Sequence, residues 1–331
     1  MTTLQRYLDA ATRQNTQRSY QAAVRHFEVE WGGHLPATAD SVARYLAHYA
    51  STLALNTLKQ RLSGLANWHA EQGFPDPTRA PIVRKTLRGI QALHPAVEKQ
   101  AAPLQLSQLG QVADWLDEAV MKTRSAGDRS AELRHARDRA LVLLGFWRGF
   151  RGDELIRVRV EHLALVPGQG MTCFLGSTKG DRQNTGTHFK VPALSRLCPV
   201  TAVSAWIEAA GLSEGPLFRR VNRWGGIGIE GFHRNSIIRL LRACFAQSGL
   251  ASPSDYSGHS LRRGFAGWAN ANGWDVKTLM EYVGWRDVQS AMRYIDGVDP
   301  FARQRIEASL SPPSALLVHH EVSDSAHPTS G

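Results

Sequence analysis

Between residues 16 and 93 the apolar positions recur at a helical period. Tyr20, Ala23, Val24, Phe27 and Trp31 stand at i, i+3, i+4, i+7 and i+11, along one face of a helix that Thr16 can cap. Asp40 opens a second such stretch, with Val42, Tyr45, Leu46, Tyr49 and Leu53 on the inner face. Asn56 opens a third through Leu58, Leu62, Leu65 and His69, which Gly73 and Pro75 stop. A fourth follows Pro81, with Ile82, Leu87 and Ile90 facing inward. Short helices joined by brief connections predict a compact helical domain over residues 1–94.

The period is lost in PAVEKQAAP, which is bounded by prolines and predicts a linker over 95–103. A larger domain is expected over 104–310. Its helices include 132–150, 200–210, 235–248, 259–272, 276–283 and 288–295. Residues 171–176 and 189–192 flank the polar, turn-rich STKGDRQNTGTH and predict a β-hairpin with a long tip. The Ser- and Pro-rich residues 311–331 predict a disordered tail. The fold class is thus mainly α with a small β-sheet.

With 331 residues, 43% of them hydrophobic, the chain can bury a substantial core in two domains. A net charge of +10 favours a polyanionic partner, nucleic acid before a membrane surface. Three cysteines with no CxxC spacing argue against a disulfide framework or a zinc site, and fit a reducing compartment. The N-terminus has no apolar signal core, and no apolar run approaches the roughly 18 residues of a membrane span. These features predict a cytoplasmic protein without membrane partners.

Candidate chemistry gathers in a few segments. In RGFRGDEL, Gly149 and Gly152 mark a turn that presents Arg151, whose planar fork can give two hydrogen bonds to phosphate oxygens. Glu154 can orient that guanidinium, or the two can form a buried pair that only positions helices. Lys179 lies at the hairpin tip, as either a proton donor to a leaving oxygen or a solvated surface lysine. In SGHSLRRG, His259 and Arg262 share one face at the start of a helix, where free N–H groups also favour an anion. Arg263 lies on another face, as a DNA-backbone or surface residue. Trp285 is a core indole or an N–H donor. Tyr294 is a packed aromatic unless neighbouring cations make its phenol a nucleophile.

Three other patterns carry no chemistry. Residues 226–231 match GxGxxG, but no clear buried strand precedes them and no βαβ unit surrounds them. Asp255, Ser257 and His259 are too crowded for a hydrolase triad. His319 and His320 lack partner ligands for a metal.

Arg151, Lys179, His259, Arg262, Trp285 and Tyr294 occur in the signatures RGFRGDEL, STKGD, SGHSLRRG, VGW and MRYI. In that order they resemble the tyrosine recombinase (phage integrase) family. Trp285, where many members have histidine, and the run NTLKQRLSGLANWHAEQGFPDPT resemble its Cre-like branch. The resemblance implies a SAM-like helical core-binding domain and an α+β catalytic domain, clamped around double-stranded DNA. It implies that Tyr294 attacks the scissile phosphate to form a 3′-phosphotyrosyl link. Arg151 and Arg262 would hold the non-bridging oxygens and Lys179 would protonate the leaving 5′-oxygen. His259 would assist proton transfer, Trp285 would donate its N–H, and Glu154 would buttress Arg151. No metal or other cofactor is implied.

On the same resemblance, the third helix, with Lys59 and Arg61, enters the major groove, and Arg84, Lys85 and Arg88 lie mostly on phosphates. Residues 1–99 carry 12 Lys or Arg and 7 Asp or Glu, which suits that task. A dimer per site and a synaptic tetramer follow by analogy, with residues 301–310 as a helix that docks on a neighbouring protomer. With 15 residues before Thr16, no separate arm-binding domain is expected. That predicts strand exchange at short core sites, for transposon or plasmid resolution. The alternatives are a mobile-element integrase, a type IB topoisomerase-like nicking and closing enzyme, and a DNA-binding regulator with a dead site.

Overall fold

The structure is a computed structural model, described here for Tyr7 and residues 14–95, 100–166, 169–176 and 185–295. The chain divides into two compact units, residues 1–100 and 101–331.

The first unit contains α1 (Gln14–Arg25, continued by a π-turn over His26–Glu30), α2 (Ala39–His48), α3 (Leu55–Glu71) and α4 (Pro81–Leu93). Its core is built from the predicted stripes, with Phe27, Tyr45, Leu46, Leu58 and Leu65 fully buried. His69 is part of that core. Its Nε2 accepts from the Ala37 N–H at 2.9 Å, so Nδ1 carries the proton and donates to the Leu65 carbonyl at 2.8 Å.

Local chemistry moves several boundaries. Thr16 lies inside α1 rather than capping it. Thr38, not Asp40, caps α2: its extended backbone lets Oγ1 accept from the Ser41 N–H at 3.1 Å, while Asp40 pairs with Arg44 at 2.7 Å. That helix stops at His48, so Leu53 belongs to the connection. With Pro81 in the first turn of α4, Val83 is the residue that turns inward, and Ile82 is 46% exposed.

The second unit is organised on α6 (Arg129–Trp147), which follows α5 (Leu106–Ser125). Every residue from 140 to 150 is buried, as expected of a helix end that is apolar all round. The predicted helix over 132–150 ends at Trp147, because Gly149 takes a left-handed φ of +56° that other residues adopt at a cost. A four-residue α7 (Gly152–Leu155) follows.

The predicted hairpin is β2 (Gly170–Leu175) against β3 (Thr187–Pro192), antiparallel, with Cys173 opposite Phe189. An unpredicted β1 (Leu163–Val166) extends it to the order β1-β2-β3. Its run LALV lacks the alternation that marks a strand. After α8 (Pro199–Ala210) comes a second unpredicted sheet, β4 (Arg219–Val221) with β5 (Ile227–Gly231). The GxGxxG segment is therefore largely a strand of a hairpin. It is not a turn opening a helix.

The remaining helices are α9 (Arg234–Gln247), α10 (Gly258–Ala271), α11 (Val276–Val283) and α12 (Val288–Ile295), within a residue of expectation. Residues 102–104 lie against α10 as a strap: Ala102 N–H donates to Asp255 O and Leu104 N–H to Ser260 O, each at 3.0 Å. Gly264 permits this approach, since a Cβ there would lie 1.9 Å from the Leu104 carbonyl oxygen. No described helix is long and apolar enough to cross a membrane.

Candidate active site

Three chain segments build the site. The first is the turn after α6. Gly149 reverses the chain, and Arg151 sits immediately before α7 with extended backbone angles. Glu154, 3% exposed, reaches back from α7. Its Oε2 accepts from the Arg151 backbone N–H at 2.8 Å and its Oε1 from Arg151 Nη1 at 2.7 Å. The carboxylate thus fixes both the backbone and the guanidinium of Arg151.

The second segment is the first turn of α10. Ser257 caps it, its Oγ accepting from the His259 N–H at 3.2 Å, while Ser260 Oγ accepts from the Ser257 N–H at 2.9 Å. From that start Arg262 runs inward and is fully buried, whereas His259 stays exposed. Arg262 Nη1 donates to the Gly149 carbonyl at 2.8 Å and lies 3.4 Å from Glu154 Oε2. Glu154 therefore serves both arginines, where only Arg151 was expected. Burial, and then the charge of Arg151, lowers the Arg262 pKa from 12.5 to about 10, which leaves it charged at neutral pH.

The third segment is the corner from α11 into α12. Trp285, 5% exposed, stacks on Tyr294 with ring centroids 5.2 Å apart and planes at 28°. The Arg262 guanidinium carbon lies 4.9 Å from the Trp285 ring and 5.7 Å from the Tyr294 ring. Tyr294 Oη lies 3.0 Å from His259 Nδ1. Arg262 Nε and Nη2 and Trp285 Nε1 are buried donors with no hydrogen bond among the described residues.

Six of the seven predicted catalytic positions, Arg151, Glu154, His259, Arg262, Trp285 and Tyr294, therefore converge. Lys179 lies outside the described residues, as does the proposed docking helix over 301–310. Of the predicted DNA contacts, Lys59, Arg84, Lys85 and Arg88 are exposed. Arg61 is half-buried with its Nε enclosed, and its charge, after burial, helps to lower the pKa of His26. Arg263 is half-buried.

Sequence reasoning passed over Arg148, which is 2% exposed between Trp147 and the site. The available signal was a charge set directly after the apolar run 140–147.

Residues 115–299, a span containing all the converging side chains, match the phage integrase family. An integrase/recombinase XerD homologue of Selenomonas ruminantium is 27% identical over 301 residues, covering 88% of this chain and 84% of that protein. Recombinase Cre of Escherichia phage P1 is 26% identical over 299 residues, covering 85% of this chain and 82% of its own. Among solved structures, XerH site-specific recombinase bound to a palindromic difH substrate has a TM-score of 0.60 at 17% identity, over 88% of this chain and 78% of that one. The Tn1549 transposon integrase in complex with circular-intermediate DNA gives 0.60 at 13% identity, over 90% of this chain and 94% of that one. With the family match spanning more than half its length, the chain belongs to the phage integrase family of tyrosine recombinases, enzymes that cleave and rejoin DNA.

Proposed function

We propose that Tyr294 is the nucleophile of this recombinase and attacks a scissile phosphate in double-stranded DNA. A 3′-phosphotyrosyl bond forms, the bond to the 5′-oxygen breaks, and the energy of the broken link is conserved for rejoining. The observation that carries this reading is the contact of Tyr294 Oη with His259 Nδ1 at 3.0 Å, beside a buried guanidinium. His259 takes the phenolic proton as attack begins. Arg151, Arg262 Nη2 and Trp285 Nε1 donate to the non-bridging oxygens, and Lys179 protonates the leaving oxygen.

Electrostatics favour the transition state. Arg151 and Arg262 share the carboxylate of Glu154, and Lys179 adds a third cation in the proposed reaction, so the group carries an excess of about two positive charges. A phosphodiester brings one negative charge and its pentacoordinate transition state two. The site is therefore better matched to the transition state than to the ground state.

Exposed Lys59, Arg84, Lys85 and Arg88 bind backbone phosphates, which makes affinity salt-dependent. Two protomers act per site and four in synapsis, exchanging strands through a Holliday junction at short core sites. The role is resolution of transposon cointegrates or plasmids.

A nicked suicide duplex carrying the cognate site tests the chemistry. The wild-type protein should give an SDS-stable adduct with phosphate on Tyr294, and Tyr294→Phe should give none. An adduct that persists in Tyr294→Phe removes the assignment. A plasmid with two directly repeated sites tests the role. Resolution predicts deletion in excess of intermolecular insertion, an integrative role predicts the reverse, and relaxation alone means a topoisomerase-like enzyme.

A further inference from the structure

Arg148 carries a buried charge that none of the proposed steps uses. It is 2% exposed, and no carboxylate forms an ion pair with it among the described residues. Its guanidinium lies in an aromatic box, 4.0 Å from the Tyr282 ring, 4.9 Å from Phe189 and 5.8 Å from Phe150. Its Nη2 donates to the Tyr282 carbonyl, in the last turn of α11. Arg148 is itself the C-terminal cap of α6, so the cation stands at the carbonyl ends of two helices. Aligned peptide dipoles there offer the negative potential that a carboxylate would otherwise supply.

The contact is reciprocal. Tyr282 Oη donates back to the Trp147 carbonyl at 2.9 Å, closing a two-bond clasp between the end of α6 and the end of α11. Tyr282 is held in turn by Phe265, with stacked centroids 5.2 Å apart, and by the edge of Trp274 at 5.2 Å. Three residues beyond Tyr282 lies Trp285, on which Tyr294 stacks. On the other side, the residue after Arg148 is Gly149, whose carbonyl holds Arg262.

We propose that Arg148 is a positioning residue for Tyr294: by clasping Tyr282 it locks the α11 corner to the arginine turn, so that nucleophile and phosphate-binding guanidiniums share one frame. This rests on Tyr294 being the nucleophile. A core-filling apolar side chain of similar length would pack in the box. It could not bind the Tyr282 carbonyl or respond to two helix ends. The clasp thus gives a guanidinium a task at a site that disfavours charge.

The test compares wild type, Arg148→Met and Arg148→Lys in the full-length protein, on a suicide duplex at saturating DNA. We expect DNA affinity within about threefold of wild type for Arg148→Met. We expect covalent-adduct formation slowed roughly 100-fold, the scale of a 1 Å misplacement of reacting groups. Arg148→Lys, which keeps the cation and one donor, should recover about tenfold of that loss. An adduct rate for Arg148→Met within about threefold of wild type overturns the proposal. So does a loss of DNA affinity that matches the loss of rate in both variants, which means general damage. If Arg148→Met does not fold, Arg148→Lys decides: slowed adduct formation with unchanged affinity supports the clasp, and a wild-type rate overturns it. Tyr294→Phe in the same assay separates the two readings, since an adduct there removes the nucleophile assignment itself.

Discussion

Replacing Glu154 by glutamine keeps the shape of the side chain and removes the one carboxylate that Arg151 and Arg262 share. Wild-type Glu154 accepts at 2.7 and 2.8 Å from Arg151 and lies 3.4 Å from Arg262. A glutamine can keep one oxygen acceptor, but its NH2 group then faces an N–H donor. Breaking a buried ion pair from one side costs about 3–5 kcal/mol, because the remaining cation is left uncompensated. The Arg151 side chain is 22% exposed, so water screens part of that loss and the lower end, about 3 kcal/mol, is the better figure. For a unit of this size each kcal/mol shifts Tm by roughly 2–4 °C, so the DNA-free variant should melt about 6–12 °C lower. On the proposed mechanism, bound DNA brings a phosphate to the same guanidiniums and replaces part of the missing charge. The Tm rise on adding saturating cognate duplex should therefore be larger for Glu154→Gln than for wild type. Scanning calorimetry with and without DNA measures both. A DNA-free melt within about 2 °C of wild type would falsify the energetic argument. An equal DNA-induced rise in both proteins would show that the phosphate does not sit on these arginines.

Further expectations concern other parts of the second unit. Trp285→Phe keeps an aromatic face but deletes the unpartnered N–H, so adduct formation by the folded variant should slow about 10-fold or more, the worth of a hydrogen bond to a charged group, alongside the loss of stability that a smaller buried ring brings; an unchanged rate means that the indole does not touch the phosphate. Gly264→Ala pushes a Cβ against the Leu104 carbonyl and should cost about 1–3 kcal/mol in urea unfolding, whereas Gly267→Ala, with nothing within 4 Å, should be neutral or stabilising. Equal effects at the two positions would show that the strap yields freely. The carboxyl of Glu161 is held down from 4.5 to about 2, first by its own backbone N–H and then by Arg159 and the Gly215 N–H. Its folded pKa lies below its unfolded one, so its contribution is present above about pH 4.5 and lost as pH falls toward 2. Denaturant titrations from pH 5 to 2 should show a shallower acid loss in Glu161→Gln, and parallel curves would refute the linkage.

The amino-acid order by itself determined the helices and the chemistry offered. Periodicity placed Leu58, Leu62 and Leu65 inside the first unit, because a 3.6-residue period allows one buried face. It also gave α10 to α12 to within a residue, since caps such as Ser257 and Asp275 act over three residues and need no distant partner. The signatures around Arg151, His259, Arg262, Trp285 and Tyr294 were legible for a similar reason: each is a short local run, at a turn, a helix start or a helix end.

What depended on residues far apart was not legible. The period assigned Ile82 to the core and left out Val83, because phase within one short helix is settled by the surface it packs on. β1, β4 and β5 escaped because short strands gain their hydrogen bonds only from neighbours.

Only the tertiary structure gave Glu154 to both arginines and brought the Tyr294 hydroxyl to His259 across 35 positions of sequence. It also set Arg148 at two helix ends. Charge and hydrogen-bonding capacity belong to residue types and can be read in order along the chain. Burial and distance decide whether a guanidinium binds a phosphate, a carboxylate or a helix end, and those are properties of the packed fold.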